Sequence, residues 1–166
     1  QMCIRESFGI GEHIKSLEGR PVCLEDLHGA GTKAAGREEL VALHEEHDLV
    51  VEIVVDQAAG RVPVIAGAGS NNTDETVRLV KAAKEAGATA ALVVTPYYNK
   101  PTQAGLKAHF LAAADCGMDV IIYNIPGRSA VDMGVETMGE LAQHKHIIGV
   151  KDATGDLSRV PKQRLS

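Results

Sequence analysis

Beyond residue 40, apolar and polar positions follow a regular period. Short, continuously apolar runs stand at 63–66, 91–95, 119–124 and 146–151. They recur at roughly 28 residues, the length of one strand plus one helix. Runs that are apolar throughout, rather than alternating, read as strands of a sheet covered on both faces. Between them the apolar residues space out to helical intervals. The segment 73–86 follows the capping pair Asn71-Asn72, stops at Gly87 and carries Val77, Val80, Ala83 and Ala86 along one side. The segment 103–116 follows Pro101-Thr102 and ends at Gly117, and 135–144 sets Val135, Met138 and Leu141 on one face. A further helix over 44–59, with Leu49, Val50, Ile53 and Val54 as its apolar side, precedes the first strand. Strand and helix alternating at constant period predict an α/β fold of parallel strands, right-handed crossovers and outer helices. The legible βα units amount to half of a closed eight-stranded barrel.

Residues 1–43 stand outside this period. Only 20–24 reads as a short strand, and 36–43 as the approach to the first helix. The expected organisation is therefore a leader of 1–43 and a partial barrel domain of 44–166. At 166 residues the chain is one domain, or a large piece of one, with enough aliphatic residues for a core. Its net charge of −5 is spread over both signs, without a basic stripe for nucleic acid or a membrane surface. No apolar run approaches a membrane span. The start, Gln1-Met2-Cys3-Ile4-Arg5, has no signal-peptide pattern, and Cys3, Cys23 and Cys116 are odd in number and far apart. Both point to a cytoplasmic protein with free thiols rather than a disulfide framework. No Cys-x-x-Cys or His-Glu-x-x-His spacing supports zinc. His44 and His47 form His-x-x-His on the first predicted helix, but no third ligand stands nearby in sequence, and no metal is expected.

In parallel βα folds, ligands sit at the carboxyl ends of the strands. After the first strand comes Gly67-Ala68-Gly69-Ser70-Asn71-Asn72-Thr73. Such a stretch holds an anion at a helix start or simply makes a tight turn. It lacks the third glycine and the acidic ribose partner of a dinucleotide fingerprint. After the second comes Thr95-Pro96-Tyr97-Tyr98-Asn99-Lys100-Pro101, whose tyrosines either pack against a partner subunit or transfer protons. After the third comes Tyr123-Asn124-Ile125-Pro126-Gly127-Arg128-Ser129, where Arg128 offers a planar fork suited to a carboxylate. Lys151 closes the fourth run, Ile147-Ile148-Gly149-Val150, and Asp152-Ala153-Thr154-Gly155 follows it. A lysine there is either an ordinary solvated strand-end residue or one anchored in apolar surroundings. In the second case desolvation disfavours the ammonium, and the neutral amine attacks carbonyls to form a Schiff base. Tyr123, Arg128 and Lys151 converging on one rim favour the carbonyl-directed lysine.

Four stretches then carry a resemblance: Val64-Ile65-Ala66-Gly67-Ala68-Gly69-Ser70-Asn71, Val94-Thr95-Pro96-Tyr97-Tyr98-Asn99-Lys100-Pro101, Tyr123-Asn124-Ile125-Pro126-Gly127-Arg128 and Gly149-Val150-Lys151-Asp152-Ala153-Thr154-Gly155. In this order and spacing the chain, from about residue 43 onward, resembles the dihydrodipicolinate synthase family of pyruvate-dependent class I aldolases and lyases. The resemblance implies units three to six of a TIM (β/α)8 barrel. It implies an enzyme of lysine and diaminopimelate biosynthesis that condenses pyruvate with aspartate semialdehyde. Lys151 would form the pyruvate imine, so no metal or organic cofactor would be needed. Tyr123 would relay protons during imine formation and ring closure. Tyr98 would complete the relay in a neighbouring subunit's site, within a homotetramer built as a dimer of dimers. Arg128 would bind the carboxylate of aspartate semialdehyde, in a turn where sialic-acid and keto-gluconate relatives carry other residues. Lysine would act as inhibitor at the tight-dimer interface through His44, His47, Asn71, Glu75 and Tyr97, which offers the His-x-x-His pair a role without metal.

The chain also departs from that family. Its Gly-Thr-Thr-Gly-Glu loop, which supplies a relay threonine and contacts to the pyruvate carboxylate, has no counterpart in residues 1–43. Family spacing lands near Ala35-Gly36-Arg37-Glu38 instead. The family's first strand and Val-Thr-Pro motif are not recognisable, and the last two barrel strands and C-terminal helical domain do not follow. The chain thus reads as the middle of such an enzyme, open at both ends. Two alternatives stay open. One is another pyruvate-dependent aldolase or lyase of the N-acetylneuraminate lyase type, acting on a different aldehyde. The other is a non-catalytic fragment that self-associates through unpaired strand edges and exposed apolar surface.

Overall fold

The computed structural model describes residues 37–165, and side chains from 44 to 164. The strand expected at 20–24, and nearly all of the proposed leader, lie outside them. The chain divides into two compact units, Gln1–Glu45 and Glu46–Ser166. Helix α1, Arg37–Ala58, crosses that division; the remaining elements belong to the second unit. They run β1 (Ile65–Gly67), α2 (Thr73–Glu85), β2 (Ala90–Val94), α3 (Gln103–Ala114), β3 (Val120–Asn124), α4 (Pro126–Ser129), α5 (Val135–Ala142), β4 (Ile147–Asp152) and α6 (Arg159–Leu165). The strands form one parallel sheet in sequence order, β1-β2-β3-β4. The four strands read beyond residue 40 are present, within two residues of their expected bounds.

Local chemistry sets the helix ends. The Asn72 side chain caps α2 by accepting from the Glu75 amide at 3.1 Å, and Asp74 and Glu75 in the first turn complement the helix dipole. At its other end Gly87, at φ +86, donates to Lys84 O and Ala88 donates to Ala83 O. This is the double bond of a Schellman stop, which needs a left-handed residue at that position. Two helices escaped the sequence reading. In α4 the Pro-Gly pair looks like a turn, yet proline is suited to the first helical position. In α6, Pro161 looks like a break but falls in the first turn, where its missing N–H costs no intrahelical bond.

Three expectations about faces are corrected. The helix-facing strand residues Ala66, Val93, Val120 and Ile122 are buried with Leu106, Phe110, Val80 and Leu141 in one core. The opposite face is not covered to match: Ile65 and Ile148 are about half exposed, at 47% and 54%. A continuously apolar strand therefore does not mean two covered faces in this unit. On α1 the buried residues are Val51 and Ala58, with Val55 packed against the core, whereas Leu49 is 48% exposed. Apolar residues run around much of that helix, so periodicity alone does not select its inner side. On α2 the buried set is Thr76, Leu79, Val80 and Ala83, centred one position away from the Val77 side. Thr76 is tolerated inside because its hydroxyl donates to Ser70 O and accepts from the Ser70 amide.

Two positions carry unusual constraint. His109 on α3 is buried beside Phe110, its Nδ1 2.9 Å from the Thr73 hydroxyl. Its Nε2 is buried without a hydrogen-bond partner among the described residues. Desolvation lowers its pKa from 6.5 to about 4. Gly69 lies where the chain leaving β1 passes the end of β2: a Cβ there would stand 2.4 Å from Val94 N and 2.9 Å from Val94 Cγ1.

Because the unfolded chain binds the His109 proton more tightly, stability from this residue is complete above pH 6.5 and is lost as pH falls toward 4. The loss amounts to about 3 kcal/mol. Urea unfolding across that interval should show the decline, and His109→Leu should flatten it. Gly69→Ala should cost about 1–3 kcal/mol, from forced displacement of backbone rather than of a flexible side chain. Thermal unfolding by circular dichroism measures it; an unchanged midpoint would refute the close-approach account.

Candidate active site

Register and pleat build the site. Val94 pairs with Tyr123, and Tyr123 pairs with Lys151. Adjacent residues in register share a face, so these three form a row on the open face near the carboxyl ends of the strands. Gly67, Leu92, Ile121 and Gly149 form the row beneath. Lys151 reaches that face only through an irregularity. Ile147 pairs with Val120 and is buried toward the helices, but the next pairing is Ile121 with Gly149, leaving Ile148 as an extra residue. Strict alternation from Ile147 would send Lys151 to the helix side; the bulge reverses it. The Lys151 Nζ consequently sits 3.9 Å from the centroid of the Tyr123 ring. The ammonium lies against the electron-rich face of the phenol ring, a cation–π contact. The apolar run before Lys151 suggested a desolvated amine. In this chain the lysine is exposed, because the row it belongs to faces outward.

Arg128 is exposed on α4, directly beyond β3. The helix is pinned from below: Thr95 Oγ1 donates to the buried Ser129 hydroxyl at 3.1 Å, and that hydroxyl faces the carbonyls of Ile125 and Val131, each at 3.0 Å. Ala130 closes α4 in the left-handed region at φ +57. Tyr98 is 89% exposed in the loop after β2 and adopts φ +72; Lys100, two residues on, adopts φ +45. Left-handed non-glycine residues carry backbone strain and gather at functional loops. The structure brings Tyr123 and Lys151 into contact, puts Arg128 at the same end of the sheet, and projects Tyr98 outward.

Three residues of the expected effector site, His47, Asn71 and Glu75, stand around the exit of β1. His47 on α1 lies with Nε2 2.9 Å from Gly67 O and Nδ1 3.2 Å from Asp48 Oδ1. Glu75 accepts from the Ser70 hydroxyl. The Asn99 amide donates to Asn71 O at 2.9 Å and joins the loop of Tyr97 to the loop of Asn71. His44 stands one turn before His47 on the same helix. With both ring nitrogens of His47 engaged, the His-x-x-His pair does not act as a ready chelate.

One set of residues escaped the sequence reading altogether. Arg159 of α6 donates through Nε to Asp152 Oδ2 at 2.9 Å, through Nη1 to Asp132 Oδ2 at 3.2 Å and through Nη2 to Met133 O at 2.7 Å. Asp132 also accepts from the Asn124 amide at 2.8 Å, and Asn124 Oδ1 accepts from the Met133 amide. Gln163 donates to Asp152 Oδ2 at 2.6 Å. Burial pushes the Asp152 carboxyl up, but hydrogen bonds from Thr154, Arg159 and Gln163 outweigh it and hold the group below its ordinary value. The available signal was a polar residue directly after each reactive one, Tyr123-Asn124 and Lys151-Asp152, at positions that must face the other way.

Residues 27–166 match the Dihydrodipicolinate synthetase family, from ahead of the point where the sequence motifs begin. A 4-hydroxy-tetrahydrodipicolinate synthase of Cereibacter sphaeroides is 68% identical over 124 residues, which are 74% of this chain and 43% of that protein. Among solved structures, the chloride-inhibited dihydrodipicolinate synthase from Acinetobacter baumannii complexed with pyruvate superposes with a TM-score of 0.68 at 51% identity, over 69% of this chain and 40% of that one. The enzyme from Cyanidioschyzon merolae with lysine bound gives a TM-score of 0.71 at 38% identity, over 73% of this chain and 42% of that one. The chain thus spans about two fifths of the length of the curated relatives it matches. Its parallel strands and outer helices are part of the same (β/α)8 architecture. The chain belongs to the dihydrodipicolinate synthetase family.

Proposed function

We propose that Lys151 is the Schiff-base lysine of a 4-hydroxy-tetrahydrodipicolinate synthase, which condenses pyruvate with aspartate semialdehyde. The observation that carries this reading is the Lys151–Tyr123 pair, with Nζ 3.9 Å from the ring centroid on the face where β3 and β4 end. The amine adds to the keto carbon of pyruvate, and loss of water leaves an imine. The protonated imine withdraws electrons, so a proton leaves the pyruvate methyl group and an enamine forms. Its carbon attacks the aldehyde and makes the new carbon–carbon bond. The substrate's amino group then displaces Lys151 from the imine, closing the ring and restoring the free lysine. These steps move protons, and the Tyr123 ring that lies against Lys151 carries a hydroxyl of the kind that can relay them.

Arg128, exposed beyond β3, has the charge and fork geometry to hold the aldehyde substrate's carboxylate. Tyr98 supports a site shared between subunits: strained backbone and 89% exposure suit a side chain that completes a partner's relay. His47, Asn71 and Glu75 at the β1 exit, with the loop of Tyr97 joined to it through Asn99, support the reading of a lysine effector site there.

Borohydride added with pyruvate should trap one reduced pyruvyl group on the protein, and peptide mapping should find it on Lys151. Lys151→Arg should abolish the adduct while leaving the far-UV spectrum intact; trapping at another lysine would refute the assignment. Arg128→Ala should leave that adduct unchanged and raise KM for aspartate semialdehyde about tenfold to hundredfold, the worth of a charge-assisted carboxylate contact. Steady-state kinetics decide this, and an unchanged KM would point to another aldehyde.

A further inference from the structure

The bonding around Arg159 lies on the side of the sheet away from the reactive row, and it touches the chain next to each reactive residue. Asp152 follows Lys151, Asn124 follows Tyr123, and Asp132-Met133 leads from the helix bearing Arg128 into α5. Successive strand residues face opposite ways, so fixing Asp152 and Asn124 on the helix side fixes the direction in which Lys151 and Tyr123 leave the other. We propose that Arg159 is a positioning residue for the imine chemistry: its guanidinium braces the end of β4 to the segment after α4 and so sets Lys151 against Tyr123.

The geometry supports a brace rather than a surface ion pair. The Arg159 side chain is 12% exposed and that of Asp152 13%. All three guanidinium nitrogens are used, on two carboxylates and one carbonyl that belong to different segments. A planar fork satisfied on several sides holds direction as well as distance, which a lysine ammonium does not. Asp132 passes the constraint on, because its second oxygen receives the Asn124 amide at 2.8 Å. Asp152 is held a second time by Gln163, one turn further along α6. The short helix α6 thus delivers both Arg159 and Gln163 to the strand end that carries Lys151.

This inference rests on the proposed function for its meaning, but its test is independent of turnover. With Nζ 3.9 Å above the Tyr123 ring, the ε-methylene protons of Lys151 lie in the ring's shielding cone. Proton NMR of the chain, assigned with Lys151→Arg, should show them upfield of the other lysines. Arg159→Gln should return them to the ordinary lysine position while circular dichroism shows a folded chain. Arg159→Lys, which keeps the charge but not the fork, should do the same and serves if the glutamine variant fails to fold. An upfield signal that persists in a folded variant would overturn the brace. Borohydride trapping on the same samples reads the other question. Absence of a pyruvyl adduct in the unsubstituted chain refutes the imine reading, whereas an adduct formed about tenfold more slowly only in the Arg159 variants supports the brace.

Discussion

Everything at the carboxyl end of this sheet depends on the residue that does not pair. Ile147 is anchored by apolar burial against the helices and pairs with Val120; Ile148 is left over, and the ladder resumes with Gly149 opposite Ile121. From Ile147 onward, simple alternation would turn Lys151 toward the core, into a place fit for an aliphatic side chain. With one extra residue, Lys151 instead joins Val94 and Tyr123 on the open face, and Asp152 joins Asn124 on the helix side. A single backbone irregularity therefore assigns two adjacent polar residues to opposite duties. The lysine meets the phenol ring, and the carboxylate meets an arginine.

His109 and Asp152 show how differently the fold treats charge. His109, deep between α2 and α3, has one ring contact to Thr73 and nothing on Nε2 among the described residues, so burial keeps it neutral at ordinary pH. Asp152 is partly buried, and the bonds from Thr154, Arg159 and Gln163 outweigh the burial and hold its carboxyl below the ordinary value. Desolvation acts on both; only the number of donors differs. In the first case polarity is excluded from a region that has to pack. In the second it is retained where direction matters, because several hydrogen bonds to one carboxylate hold an angle that dispersion contacts do not.

The legible part of this molecule was what repeats or stays local. The 28-residue spacing gave away the strands, Asn72 and Gly87 marked the ends of α2, and rules about strand ends led straight to Tyr123, Arg128 and Lys151. Ile-Ile-Gly-Val, by contrast, looks like an uninterrupted strand, since a bulge of this kind is settled by what stands opposite it. The inner side of α1 was missed because apolar residues occupy several of its faces, and only packing selects Val51 and Ala58 over Leu49. Arg159 was missed for a third reason. Its partners Asp132 and Asp152 are 27 and 7 residues away, in segments whose proximity exists only after the strands have paired.

The exposure of Lys151 and the exposure of the apolar open face are one physical problem. Parallel sheets are ordinarily covered on both sides, yet here Ile65 and Ile148 stand about half exposed, with Leu92, Val94 and Ile121 only half buried between them. Covering that face removes this apolar area from water, which favours the covered state. The same event would withdraw water from Lys151, which shares that face with the aliphatic residues. The driving force is hydrophobic and resides in the aliphatic residues, and Lys151 stands among them. The bulge at Ile148 turns the lysine to that face, and the bonds from Arg159 to Asp152 and to Met133 O tie down the strand end on the other.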